Sequence, residues 1–203
     1  MNKKITFQGV LSNGFALGLK NVVPLILTYL LWIVTIWIPY LNVGTTIAIN
    51  TIPLELSKGK VINPTFIFGA QYRQYMGEYL ILMGLMGMAM FVAAIFFIIP
   101  AVVIGIAWSL AVLLLLDKKI SPLEAIMESN KLTYGYKLTI FLVSFVIGVI
   151  SFILNLILGL IPVIGTIVAI AISSAIGSAC NAIIYRDLTA VSPAPISTPE
   201  IEA

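Results

Sequence analysis

The chain has 203 residues, and its eleven Lys and Arg against eight Asp and Glu give a net charge of +3. Hydrophobic residues make up 61% of the sequence and charged residues 9%, whereas soluble domains carry about a quarter charged residues. This composition excludes a water-soluble globule. The basic residues are scattered beside apolar segments, so we expect the lipid bilayer as a partner and no nucleic acid.

Three long apolar stretches contain no charged residue and no histidine: 21–54, 79–116 and 138–185. As a single helix, the shortest stretch would be about 50 Å long at about 1.5 Å per residue. A bilayer core is only about 30 Å thick and needs about 20 residues. Each stretch is therefore predicted to cross the membrane twice.

Each stretch carries a proline near its middle that is followed by a glycine, and proline fits the first turn of a returning helix. The candidate hairpin turns are Pro39, Gly44, Pro100, Gly105, Pro162 and Gly165. The predicted helices are 21–37, 40–56, 79–98, 101–116, 138–159 and 163–186. The predicted fold is an all-α membrane bundle of six transmembrane helices in three hairpins. Helix 40–56 is short and contains Asn50 and Pro53, so it either crosses the bilayer or is re-entrant.

The three predicted hairpin tips hold no charge, and all Lys and Arg lie outside them. Because positive residues favour the cytoplasmic side, both termini are predicted to be cytoplasmic in a multi-pass protein.

Short amphipathic helices are predicted on that cytoplasmic side, before the hairpins. Phe68, Tyr72, Tyr75 and Tyr79 recur at helical spacing, and Ser121-Pro122-Leu123-Glu124 forms a capping box. These helices lie either in the headgroup plane or against the bundle.

Similar features recur along the chain and suggest three repeat units, near 5–56, 64–116 and 122–186. Glycines that precede the apolar stretches and prolines within them return at intervals of about 60 residues. We expect one membrane domain over 1–190. The segment 191–203 is rich in proline and is expected to be a disordered cytoplasmic tail.

Few residues are suited to catalysis. The chain has no histidine, and the predicted spans contain no carboxylate. Catalytic, cofactor and metal residues are therefore not expected, and we predict that the protein is not an enzyme.

Polar and small residues inside the spans are the remaining candidates for a site. Asn50, Ser109, Asn155 and Asn181 either form hydrogen bonds between helices or line a polar path. On the last helix, small residues recur four positions apart, which allows close backbone approach in the bundle or at a subunit contact. These residues are Ala171, Ser174, Ala175, Ser178 and Ala179.

The segment Ile120–Lys137 has a Pro-leading helix with Glu124-Ala125, then Ser129, and then Gly135-Tyr136-Lys137 at the next membrane entry. It resembles a cytoplasmic segment of the YciC-like uncharacterised bacterial membrane proteins, whose relatives include the membrane domain of some glycerophosphodiester phosphodiesterases. The ending Ile184–Leu188 is also similar to theirs. This resemblance implies a six-helix protein of the bacterial cytoplasmic membrane and implies no site residue.

The expected function is permeation or transport of a small solute by a non-enzymatic membrane protein, either as a monomer or as a homo-oligomer. One alternative is a membrane scaffold or lipid-interacting module with a membrane protein partner. Another is the substrate-binding membrane subunit of a transporter.

Overall fold

The computed structural model describes residues 5–59, 61–96, 98–161 and 164–191, and every regular element in these ranges is helical. The α-helices are α1 Phe7–Thr35, α2 Leu41–Asn50, α3 Ile52–Ser57, α4 Ala70–Gln74, α5 Met76–Phe96, α6 Ile98–Ala107, α7 Ala111–Lys118, α8 Pro122–Thr133, α9 Lys137–Leu158 and α10 Ile164–Val191. A 3₁₀ helix covers Pro64–Phe68. The predicted tail beyond 191 lies outside the described residues.

Within the described residues, five helical segments are long and apolar enough to cross a membrane: Phe7–Thr35, Met76–Phe96, Ile98–Lys118, Lys137–Leu158 and Val168–Ala190. The chain is thus an all-helical protein with the helices of a multi-pass membrane protein. The predicted span 40–56 is absent from this set, because α2 and α3 are separated at Thr51 and each is too short to cross.

The first predicted boundary, between an amphipathic segment and a span beginning at residue 21, is wrong. α1 runs without interruption from Phe7 to Thr35, and Pro24 lies inside it. At about 1.5 Å per residue, this helix is about 43 Å long and exceeds the thickness of a bilayer core. Its buried residues form one face along the whole helix, so packing rather than membrane depth determines its length.

After α1 the chain turns and returns alongside it through α2 and α3. The hydroxyls of Thr35 and Thr45 are 2.8 Å apart at one end, and the Ile62 amide donates to Asn21 Oδ1 at 3.0 Å at the other. Thr35 and Asn21 are separated by about 21 Å along α1. The return is therefore completed by two short helices instead of one continuous span.

The candidate turn residues occupy two kinds of position. Pro39 lies in the turn before α2, and Pro100 lies in the first turn of α6. Gly44 and Gly105 lie inside α2 and α6 instead of in turns, and the side chains of Arg73 and Met90 approach them there. Gly165 is the buried second residue of α10, whereas Pro162 lies outside the described residues.

The aromatic segment after the first hairpin is not a single amphipathic helix. It is divided at Gly69 and Tyr75 into a 3₁₀ helix, α4 and α5. Tyr72 and Tyr79 are buried, whereas Phe68 is 40% exposed. The predicted stripe is thus split, because its members belong to three helices with different partners.

The apolar segment Ile98–Lys118 breaks at residues 108–110, which the sequence does not predict. α8 stabilises this break from 20 residues away in sequence. Ser129 Oγ donates to the Ala107 carbonyl at 2.7 Å and accepts from the Leu110 amide at 3.2 Å. Ser129 is fully buried. It therefore pairs two backbone groups that the break releases.

The predicted capping box at the start of α8 is confirmed. Ser121 Oγ accepts from the Glu124 amide, and the Glu124 carboxylate accepts from the Ser121 amide. These bonds to Ser121 hold the pKa of Glu124 below its ordinary value. Leu123 and Met127 of α8 are 60% and 49% exposed. The buried residues of α8 are Ala125, Ser129, Leu132 and Thr133.

α1 and α10 pack closely in antiparallel directions. A Cβ atom at Gly14 would overlap Cys180 Sγ, and one at Gly18 would lie 3.0 Å from Ile176 Cα. Only glycine permits such an approach. Ala175 and Ala179, predicted as packing residues, are fully buried on α10.

The positive residues do not lie in one plane, although the sequence predicts that they mark one membrane face. The pairing of α1 with α10 places Lys20 about 18 Å from Arg186 along the helix axes. Arg73 lies against Gly44, one of the residues predicted at the first uncharged tip. The charges are thus distributed over a depth greater than one headgroup layer.

Candidate functional site

A polar cavity of about 370 Å³ lies among α1, α2, α3, α7 and α10. Its lining residues are Tyr29, Ile49, Asn50, Pro53, Ser109, Val112, Leu113, Ser174, Gly177, Ser178 and Asn181. No lining residue carries a charge. Asn50, Ser109 and Asn181 are exposed, so the cavity opens at the surface of the helical bundle. It combines hydroxyl and amide groups with an aliphatic wall.

Helix ends and one helix face bring these polar groups together. Asn50 is the last residue of α2, and Ser109 lies in the break between α6 and α7. Ser174, Ser178 and Asn181 follow one another at spacings of four and three on α10, so they share one face. Along α10 they lie about 8 to 18 Å from Arg186.

Some of the polar groups already have partners. Asn50 Nδ2 donates to the Thr46 carbonyl and to Tyr79 Oη, both at 2.9 Å. Ser109 Oγ donates to the Ile106 carbonyl at 2.9 Å. Ser174 and Ser178 line the cavity together with Tyr29.

The remaining hydrogen-bonding capacity suits a neutral solute. An amide side chain both donates and accepts, and a hydroxyl does the same, whereas none of these groups neutralises an ion. In the described part of the chain there is also no group of three His, Cys, Asp or Glu that could hold a metal. The cavity is thus equipped for binding by hydrogen bonds.

The structure brings together three of the four residues predicted for a polar path: Asn50, Ser109 and Asn181. Asn155 lies elsewhere on α9, where its Nδ2 donates to the Ser151 carbonyl at 2.8 Å. Its bond is within one helix.

Residues predicted for helix packing divide between two environments. Ala171, Ala175 and Ala179 are buried, whereas Ser174 and Ser178 line the polar cavity. Sequence reasoning missed Tyr29, because a tyrosine in the middle of an apolar stretch has no distinguishing spacing or motif.

Tyr29 also lines a second cavity of about 210 Å³, whose walls are almost entirely apolar. Its lining residues are Ile26, Tyr29, Leu30, Trp32, Ile33, Ile170 and Ala171. Tyr29 is thus shared by a polar and an apolar cavity that follow one another along α10.

No protein-family model, no curated protein and no solved structure matches this chain.

Proposed function

We propose that this chain is a non-enzymatic membrane protein that binds and passes a small uncharged polar solute through the cavity beside Tyr29. The observation that carries the proposal is the uncharged polar lining of a 370 Å³ cavity among apolar helices. Polar groups are expensive to leave in an apolar environment, so a cluster of exposed amides and hydroxyls among apolar helices is expected to hold water or a solute.

The chemistry of the lining selects the class of solute. Selection of ions by charged rings is not available to this cavity. Asn181, Ser174 and Ser178 offer donors and acceptors on one helix face, while Val112 and Leu113 supply apolar contact. Small polyols and amides have the matching combination of groups.

The arrangement of neighbouring cavities supports passage as well as binding. Tyr29 lines both cavities, and along α10 the apolar cavity at Ile170 and Ala171 is followed by the polar cavity. We propose that a solute leaving the polar cavity toward Ile170 passes the Tyr29 ring. We therefore assign Tyr29 as the constriction of the path.

Both termini on the cytoplasmic side remain part of this proposal. After Thr35 the chain returns through α2 and α3 to Ile62, which lies beside Asn21. Counted together with the five segments able to span a membrane, this return supports an even number of passages. In the sequence, the three predicted hairpin tips contain no Lys or Arg, which favours the cytoplasm for the termini, although Arg73 packs against Gly44 in the fold.

We also propose that the chain is a YciC-like protein of the bacterial cytoplasmic membrane. This proposal depends on the resemblance of the segment Ile120–Lys137 to those proteins.

The proposal is tested by flux into liposomes that contain the purified full-length chain. Glycerol and urea entry is followed by light scattering, and ion entry by a trapped fluorescent dye. We expect neutral solute entry above that of empty liposomes and no comparable entry of ions. Asn181→Leu should reduce neutral flux several-fold, because it fills the cavity and removes a polar group.

Asn155→Leu is the matched control, since it makes the same change on α9 outside the cavity and should leave the flux unchanged. Equal loss of flux in both variants would show that the solute does not pass through the cavity. Liposomes that stay tight to every solute, at verified protein density, would contradict the proposal.

One feature favours a second candidate function, a lipid-interacting or scaffold module. The apolar residues Leu123 and Met127 are exposed on α8, a helix with charged residues at Glu124, Glu128 and Lys131. Such a face binds a membrane surface or another helix. Tight liposomes in the flux experiment would leave this function as the better supported one.

A further inference from the structure

A third cavity, of about 240 Å³, differs from the other two because charged side chains line it. Its lining residues are Thr51, Leu54, Glu55, Lys58, Gln71, Tyr72, Gln74, Tyr75, Leu116, Asp117 and Lys119. By liquid volume it has room for about eight water molecules. It is thus a polar pocket of the size of a small ligand, and the proposed solute path does not use it.

The four charges of this pocket are not equivalent. Glu55 and Lys58 pair with each other, with Oε1 and Nζ 2.6 Å apart. Asp117 accepts a hydrogen bond from the Tyr185 hydroxyl. In the described part of the chain, neither Asp117 nor Lys119 takes part in an ion pair. One carboxylate and one ammonium group therefore remain available to a ligand.

The pocket lies where two apolar stretches meet charged residues. The stretch 79–116 ends directly before Asp117, and the stretch 138–185 ends at Tyr185, which is followed by Arg186. The bond between Tyr185 and Asp117 brings these two ends together. This is the position at which apolar spans give way to the headgroup layer, where tyrosine is enriched.

We propose that this pocket binds a small zwitterion with a primary ammonium and a phosphate group, namely the phosphoethanolamine headgroup of a membrane lipid. The ligand's ammonium group lies beside Asp117, and its phosphate lies beside Lys119. The amides of Gln71 and Gln74 are hydrogen-bond donors for the phosphate oxygens. The lipid's acyl chains extend along the apolar ends of the neighbouring helices.

Native mass spectrometry of the full-length chain from mild detergent tests this proposal, with phosphatidylethanolamine and phosphatidylglycerol added separately. Phosphatidylethanolamine adducts should be retained more strongly, because phosphatidylglycerol has no ammonium group for Asp117. Asp117→Asn and Lys119→Gln should each reduce this retention about two- to fivefold, as for solvent-accessible ion pairs.

The control is Lys118→Gln, which removes the same charge at the neighbouring position. Lys118 does not line the pocket and pairs with Glu128 at 3.5 Å. The control variant should leave the retention unchanged, and thermal unfolding in detergent checks that all three variants remain folded. Displacement of the lipid by soluble phosphoethanolamine, and not by glycerol phosphate, would support recognition of the ammonium and phosphate groups and would show that a soluble ligand can also occupy the pocket. Equal retention of both lipids, or equal effects of Lys118→Gln and Lys119→Gln, would overturn the proposal.

Discussion

At the scale of single residues, the packing of α1 on α10 depends on two glycines, Gly14 and Gly18. In an apolar membrane, burial of hydrophobic surface does not bring helices together, so van der Waals packing of close backbones becomes a main contribution. Gly14 faces the sulfur and backbone of Cys180, and Gly18 faces backbone atoms of Ala175 and Ile176. Backbone atoms cannot move aside as a flexible side chain can.

Gly18→Leu should therefore destabilise the fold. A Cβ atom at Gly18 would lie 3.0 Å from Ile176 Cα and 3.2 Å from the Ala175 carbonyl oxygen, so the helices would have to separate. We expect a loss of about 1–3 kcal/mol from overpacking. Thermal unfolding in detergent should show a midpoint several degrees lower. Gly84→Leu on α5 is the control, because nothing lies within 4 Å of a Cβ there, and an equal decrease would contradict this account.

At the scale of helices, the break between α6 and α7 connects the surface helix α8 to the polar cavity. The hydroxyls of Ser129 and Thr133 on α8 donate hydrogen bonds to the Ala107 carbonyl. Ser109, within the break, lines the cavity. A straight helix through this region would point the side chain of residue 109 elsewhere. The position of α8 therefore contributes to the shape of the site.

Ser129→Ala should loosen this junction. The variant leaves the buried Leu110 amide without a partner, and an unsatisfied buried group costs about 1–3 kcal/mol. Hydrogen exchange across residues 108–112 should become faster, and the unfolding midpoint should fall. Ser151→Ala is the comparison, because the Ser151 hydroxyl bonds only to the Ile147 carbonyl of its own helix. Unchanged exchange at the junction would show that α8 does not hold the break.

At the scale of the whole molecule, the sequence predicts the apolar layer and its helices well. The stretches 79–116 and 138–185 contain four of the five helical segments able to span a membrane, because length and hydropathy alone decide that property. The break at Ser109 could not be predicted, since neither proline nor glycine marks it and its partner Ser129 is distant in sequence. The three-unit repeat stays a prediction.

The site was predictable only in part, because contacts between helices that are distant in sequence decide which residues meet. Uncharged polar residues in apolar segments are visible in the sequence, and Asn50, Ser109 and Asn181 were found in this way. Whether such a residue faces a cavity or bonds to its own helix depends on helix rotation, which separates Asn181 from Asn155. Tyr29 enters the site through packing of α1 on α10.

The central claim is that the polar cavity holds water within the apolar bundle, and thiol labelling in intact liposomes tests it most directly. Cys180 is the only cysteine, so Cys180→Ala gives a background without thiols. A thiol reacts with a membrane-impermeant reagent as the thiolate, which forms in water and is suppressed in lipid.

In this background, Asn181→Cys and Ser109→Cys should react with the reagent in the folded protein. Phe152→Cys, on the exposed apolar surface of α9, should react only after denaturation, because lipid covers it. Labelling of both cavity positions at rates well above that of Phe152→Cys is the predicted result. Cavity positions as unreactive as Phe152→Cys would contradict a hydrated cavity and the function proposed from it.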